Sequence, residues 1–255
     1  MMKKIMIGVA AYRGMQCIPC LDSIEIMARL LLKNGFDVCL KLIEGDPYIQ
    51  AVRNKLIETF MSEGHDIFFS IDDDISFPAE VTLEFVNKED EFVAGIYPMK
   101  TEPLNWPVVL YTDPKGYPKV RGDGYIAAAR VPAGFFCLKR SAIEKMYKNY
   151  EFRTYYEMQT ANGSPEDEKC PKKKIYDLFP QGLDKKNTMS DYIQPLKSSG
   201  VWIGEDFAFC DLWTNICGQI WVKPDITFTH YRFKNNKYEA YRGNYHEYLK
   251  KLPKE

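Results

Sequence analysis

No apolar run in this 255-residue chain approaches the length of about 18 residues that a membrane span requires. Met1 to Ala11 is too short and too strand-like for a secretory signal. Charge of one sign is also missing. The 34 Lys and Arg nearly balance the 35 Asp and Glu, leaving a net charge of -1, so no global field draws the molecule to nucleic acid or membrane. Nor is there an even cysteine framework. Seven scattered cysteines suit reduced thiols and a cytoplasmic location. Internal repeats are lacking. What remains is an ordinary globular composition, 45% hydrophobic and 27% charged, with ample material for a core.

The first hundred residues alternate strand and helix signals. Lys4 to Ala10 reads as a buried strand, and Ser23 to Lys33 as a helix with Ile24, Met27, Leu30 and Leu31 on one face. Val38, Leu40 and Leu42 alternate in a second strand. Asp46-Pro47 opens a helix carrying Ile49, Val52, Leu56 and Phe60. Ile67 to Ile71 is a third strand, Ser76-Phe77-Pro78 starts a short helix, and Glu91 to Tyr97 is a fourth strand. This succession predicts an α/β fold with a mostly parallel central sheet flanked by helices.

After Pro98 the signals shorten. Trp106 to Tyr111, Tyr125 to Val131 and Phe135 to Leu138 read as strands, and Ser141 and Glu144 have capping-box spacing for a helix ending near Asn149. Residues 151–200 show no sustained period and read as an irregular insertion, placed to act as a lid or binding loop. Gly204 to Cys217 reads as a helix, followed by the strand Gln219 to Val222 and the stretch Ile226 to Tyr231. The expected organisation is one domain over 1–255. Residues 1–100 would form one half, 101–231 a second half with the insertion, and 232–255 a tail.

The acids Asp72-Asp73-Asp74 close the apolar stretch that starts at Ile67. Such a run presents carboxylates at the carboxyl end of a strand, where open α/β sheets place ligands. Extended backbone would set Asp72 and Asp74 on one face and Asp73 on the other. A divalent cation with a phosphate-bearing substrate would hold such a pair, and an Asp-rich turn without metal is the alternative. Arg53 is a helical arginine, either solvated or functional. Glu205 and Asp206 begin a helix, where acids also complement the helix dipole. His230 and Gly134 each admit a purely structural reading. Cys17-Ile18-Pro19-Cys20 has redox-motif spacing but lies in a βα run too long for a thioredoxin-like domain, and no second Cys or His pair completes a zinc site.

Taken in order, the motifs resemble the GT-A fold of nucleotide-sugar glycosyltransferases, especially small viral and bacterial members. They are the loop from Val9 to Arg13, the Arg53-Asn54 helix, the Asp triplet, Gly95-Ile96-Tyr97-Pro98, Pro132-Ala133-Gly134-Phe135, Gly204-Glu205-Asp206-Phe207 and the late His230. The likeness covers residues 4–150 and 200–231. It implies transfer of a hexose or pentose from a nucleotide-sugar donor with Mn2+ or Mg2+. Ala10, Tyr12, Arg13, Arg53, Asp72 and Asp73 would bind the nucleotide sugar, Gly134 would leave room for sugar or acceptor, and Asp74, His230 and Asp72 would serve the metal. Asp206 would be the general base, with Glu205 equally placed. For a viral member the location would be host cytoplasm.

Two other classes stay open on these residues. One is a metal-dependent nuclease or phosphoryl-transfer enzyme, the other a sugar-binding module without catalysis. The resemblance implies an acceptor hydroxyl on a glycan, a protein glycan or a hydroxylated DNA base. Basic and aromatic residues interleave in 232–255, with Tyr238, Tyr241, Tyr245 and Tyr248. Such a segment suits nucleic acid, a glycan platform or a helix packed on the body.

Overall fold

The computed structural model describes residues 2–12, 14, 17–158, 172–183 and 202–251. It opens with β1 (Lys4–Ala11), α1 (Ile18–Lys33), β2 (Asp37–Glu44), α2 (Ile49–Ser62) and β3 (Ile67–Asp72). Next come β4 (Ile75–Ser76), α3 (Glu80–Asn87), β5 (Phe92–Gly95), β6 (Val109–Leu110), β7 (Ile126–Arg130), β8 (Phe135–Lys139) and α4 (Arg140–Asn149). The chain continues through β9 (Thr154–Met158), β10 (Lys172–Tyr176), β11 (Gly182–Leu183), β12 (Trp202–Ile203) and α5 (Glu205–Asn215). It finishes with β13 (Ile220–Lys223), β14 (Thr227–Lys234), β15 (Lys237–Asn244) and α6 (Tyr245–Lys251).

An eight-stranded mixed sheet in the order β2-β1-β3-β8-β5-β13-β7-β6 forms the centre. β2, β1 and β3 pair in parallel, as do β5 and β13, while β8 and β7 run against their neighbours. Period-two alternation sends successive side chains to opposite faces. Phe68 and Phe136 join one core with Phe60, Phe92 and Phe209. Their chain neighbours Phe69 and Phe135 join the other, with Ile5, Ile24, Met27 and Phe228. A sheet covered on both faces accounts for strands that read as continuous apolar runs. At Gly8 in β1 the ring of Phe68 from the adjacent strand β3 packs so closely that a Cβ would lie 2.5 Å from it.

Several local expectations are corrected. α1 starts at Ile18 rather than Ser23, with Pro19 in its first turn. α2 starts at Ile49, because the Asp46 carboxylate accepts the Tyr48 N–H at 3.0 Å in a turn that precedes the helix. The capping box at α4 does not form. Ser141 Oγ donates to Glu91 at 2.5 Å and Glu144 pairs with Arg140, both from inside a helix that begins at Arg140. Between Trp106 and Tyr111 only Val109–Leu110 is strand.

The insertion is more regular than its sequence suggests. β9 and β10 form an antiparallel hairpin, and β11 pairs with β12. Asn54, buried in α2, anchors this region. Its Oδ1 accepts the N–H groups of Leu178 and Phe179 at 2.9 and 3.1 Å, and its Nδ2 donates to Asp177 at 3.1 Å. Residues 159–171 and 184–201, most of the expected lid, lie outside the described residues. Nor is 232–251 a loose tail. β14 and β15 form a hairpin that pairs with β4, and Tyr245 and Tyr248 of α6 pack on Trp106. No helix among the described residues is long and apolar enough to cross a membrane.

Candidate functional site

β1 and β3 deliver their carboxyl ends side by side, with Ala10 in register opposite Asp72. The segment leaving β5 adds Tyr97 and Lys100, and α5 approaches with Glu205 and Asp206. This is the crevice at strand ends where α/β sheets hold ligands.

Arg53 organises the inner layer. Its Nη2 donates to Asp72 Oδ1 at 2.8 Å and its Nη1 to Glu205 Oε1 at 2.5 Å, and only 6% of the residue is exposed. Burial works against the guanidinium charge, but Asp72 and Glu205 outweigh it, and the net shift favours the protonated form. Tyr97 completes the layer. Its hydroxyl donates to Asp72 Oδ2 at 3.3 Å and accepts the Gly134 N–H at 3.0 Å.

Asp72 and Asp74 do not share a face. β3 ends at Asp72 and the backbone turns through Asp73 and Asp74, so strand alternation stops before it can relate them. Asp73 and Asp74 together line a cleft of about 310 Å³ with Tyr12, Gly14, Cys17, Lys100, Tyr231, Arg232, Phe233 and Tyr238. Asp72 faces Arg53 and Tyr97 instead. Burial first, then repulsion from Asp74 and Asp72, pushes the Asp73 carboxyl up to about 6.

Two side chains hold Asp74. Lys100 Nζ bonds Oδ2, and His230 Nε2 lies 3.2 Å from Oδ1. Burial raises the Asp74 carboxyl, but His230 and Lys100 prevail and hold it below its ordinary value. β14 fixes this geometry, since His230 is in register with Ile75 and the Tyr231 N–H donates to the Asp74 carbonyl at 2.8 Å. The other ring nitrogen of His230, Nδ1, lies 2.8 Å from the Pro98 carbonyl oxygen. A carbonyl only accepts, so Nδ1 carries the hydrogen. In the neutral ring Nε2 would then set a lone pair against a carboxylate. A second proton, or a cation between the two, removes that conflict. A carbonyl-oriented histidine beside carboxylates therefore fits a divalent ion.

Gly134 has a different local role from the one expected. A Cβ there would lie 2.4 Å from both Asp72 Oδ2 and the Tyr97 hydroxyl, and 2.6 Å from Ile75 Cδ1. The space beside it is filled by these side chains rather than left for a sugar. Of the first loop, Tyr12 is exposed and lines the cleft, Ala10 is half-buried in β1, and Arg13 lies outside the described residues.

The two acids of α5 have separate environments. Glu205 is ion-paired with Arg53. Asp206 accepts the adjacent Phe207 N–H at 2.7 Å and has no ion pair among the described residues. Burial, then the neighbouring Glu205, pushes Asp206 up to about 6, with Arg53 acting in the opposite direction.

Lys100, Tyr97 and Arg232 were not singled out as site residues by the sequence, and Tyr238 was named only among the aromatics of 232–255. Tyr97 lies within the quoted Gly95-Ile96-Tyr97-Pro98 segment, which was its only signal. Lys100 follows a strand with no pattern of its own.

No protein-family profile and no curated protein sequence matches the chain. Among solved structures, it is similar to a glycosyltransferase involved in the glycosylation of the major capsid of PBCV-1. The identity is 11% and the TM-score 0.31, over 58% of this chain. The match covers 66% of the neighbour, just under two thirds of its length. At that degree of likeness nothing about activity follows, and any chemical reading rests on the residues around the cleft.

Proposed function

We propose that the protein is a metal-dependent glycosyltransferase that moves a sugar from a nucleotide-sugar donor to an acceptor hydroxyl. The observation that carries this reading is the grouping of Asp73, Asp74, Lys100 and Arg232 along one aromatic-walled cleft at the strand ends, with His230 Nε2 3.2 Å from Asp74. Carboxylates and a histidine suit a divalent ion, cationic side chains suit phosphates, and aromatic rings suit a nucleobase. Asp74 and His230 would hold Mn2+ or Mg2+. Asp73 is better placed to assist than Asp72, which is occupied by Arg53.

Such an ion would neutralise the charge on the departing nucleoside diphosphate. Lys100 and Arg232 would share that task as fixed positive charges. Tyr12 and Tyr238 flank the cleft and would hold the base. Asp206 would take the proton of the acceptor hydroxyl as its oxygen bonds to the anomeric carbon and the carbon–phosphate oxygen bond breaks. Glu205 is a weaker candidate for that role, because Arg53 stabilises its ionised form. The acceptor is a glycan or a hydroxylated DNA base.

A thermal-shift panel of UDP-, GDP-, TDP- and CMP-sugars, with Mn2+ and with excess EDTA, tests the reading. One donor class should stabilise the protein only with the ion present, and transfer should stop in EDTA. Phosphodiester cleavage without nucleotide-sugar binding would replace it with the nuclease alternative. Full transfer in excess EDTA would remove the metal.

A further inference from the structure

At the opposite ends of the strands lies a second set of ligand-type side chains. Cys39 near the start of β2, Glu63 at the end of α2 and His65 before β3 bring a sulfur, a carboxylate oxygen and a ring nitrogen within 4.8 Å of one another. The donors come from β2 and from the turn between α2 and β3, so their convergence is a product of the fold.

His65 is the informative member. It is 8% exposed, and its ring lies in parallel with Phe60 at 6.4 Å. Its backbone is tied at both ends, the N–H to the Phe60 carbonyl at 3.3 Å and the carbonyl to Arg140 Nη1 at 3.1 Å. The ring is therefore preorganised. Nε2 lies 3.2 Å from Glu63 Oε2, but Nδ1 is buried with no hydrogen-bond partner among the described residues. With Nδ1 unpartnered, no second hydrogen bond fixes the tautomer, so Nδ1 can carry the ring proton and leave the Nε2 lone pair toward Glu63 for a metal ion. Glu63 is prepared from outside. Lys41 Nζ lies 2.6 Å from its Oε1, leaving Oε2 toward His65. Metal-ligating carboxylates commonly have such an outer partner.

We infer that Cys39, Glu63 and His65 form a binding site for a thiophilic divalent cation of the Zn2+ class. A thiolate, an imidazole and a carboxylate match zinc's donor preferences, whereas Mg2+ would choose oxygen alone. The fourth position would hold water. Binding displaces the Cys39 thiol proton to solvent as the metal–sulfur bond forms. The ion would fasten edge strand β2 to the α2–β3 turn. It is distinct from the divalent ion proposed at Asp74 and His230, and does not depend on that proposal.

The test uses the full chain, stripped of metal, reduced and titrated with Co2+ in excess Mg2+. We expect a near-ultraviolet thiolate-to-cobalt charge-transfer band that Zn2+ bleaches. The band should vanish in Cys39→Ser and persist in Asp74→Asn. In His65→Gln, Co2+ affinity should fall by at least about tenfold. Circular dichroism of each variant in EDTA checks that the fold is kept. No thiolate band in the wild type, or an undiminished band in Cys39→Ser, would overturn the assignment. In the latter case the sulfur belongs to another cysteine, such as the Cys17 and Cys20 pair.

Discussion

Arg53 and Asp72 are joined by a hydrogen-bonded ion pair of 2.8 Å across 19 residues of sequence, and the same guanidinium reaches Glu205 across 152. One side chain thus ties a helix, a strand end and the start of a later helix into a single buried assembly. Replacing Arg53 by Met should leave two poorly solvated carboxylates facing each other. We expect a loss of about 3 kcal/mol of stability at neutral pH, read by urea denaturation. Lys offers one compact charge in place of the fork, so Arg53→Lys should recover only part of the loss. Wild-type stability in Arg53→Met would show that the pairs contribute nothing net.

Asp206 and Asp73 share one electrostatic state. Both carboxyls are raised in the folded protein to about 6, above the ordinary aspartate value. The folded state therefore binds protons that the unfolded chain has released. Their stabilising share is complete below about pH 4 and is lost as pH rises through about 6. At pH 7.5, without divalent ions, Asp206→Asn should stabilise the fold by on the order of 1–2 kcal/mol after solvent screening, read as a higher melting temperature. The same variant should lose most turnover with donor affinity little changed. A fall in melting temperature at pH 7.5 would contradict the electrostatic origin.

The same carboxyl predicts the acid limb of the rate profile. If Asp206 accepts the acceptor proton, kcat/KM should fall about tenfold for each pH step below roughly 6. Glu205→Gln should retain that limb. Should Glu205→Gln be inactive while Asp206→Asn works normally, the two residues exchange roles.

Lys100 competes with any ion for Asp74. Lys100→Ala should bind Mn2+ more tightly in the absence of nucleotide, because one carboxylate oxygen is released. It should also bind the nucleotide sugar more weakly, because a phosphate-facing charge is lost. Parallel calorimetric titrations of ion and donor separate the two effects. Weaker binding of both would mean that Lys100 mainly holds the turn in shape.

Gly134→Ala introduces a methyl group 2.4 Å from Asp72 Oδ2 and from the Tyr97 hydroxyl. Displacing them should cost about 1–3 kcal/mol and break the Tyr97 hydrogen bonds. The companion Tyr97→Phe, Gly134→Ala double variant should be partly rescued. Absence of coupling would show that the methyl is accommodated elsewhere.

The helix–strand alternation of the first hundred residues was legible because each element carries its own period. The reversed β8 between β3 and β5 was not, since antiparallel insertion is decided by pairing between residues far apart in sequence. Asp72-Asp73-Asp74 stood out, but the face assigned to each acid relied on strand geometry, which ends at Asp72. The hairpin β9–β10 escaped notice because its anchor, Asn54, lies more than a hundred residues away. Glu63 and His65 share one turn, but Cys39 lies in β2, and no linear spacing links it to them.

The acid turn is pinned by β14, and β13 fills a central place in the sheet, yet both are encoded after residue 219. A ribosome delivering this chain would release β1, β3 and the acids long before their partners exist. The nascent protein would carry Asp74 without His230 beside it. If the cleft binds donor and ion as proposed, partial products that stop short of β14 should sequester neither by this route.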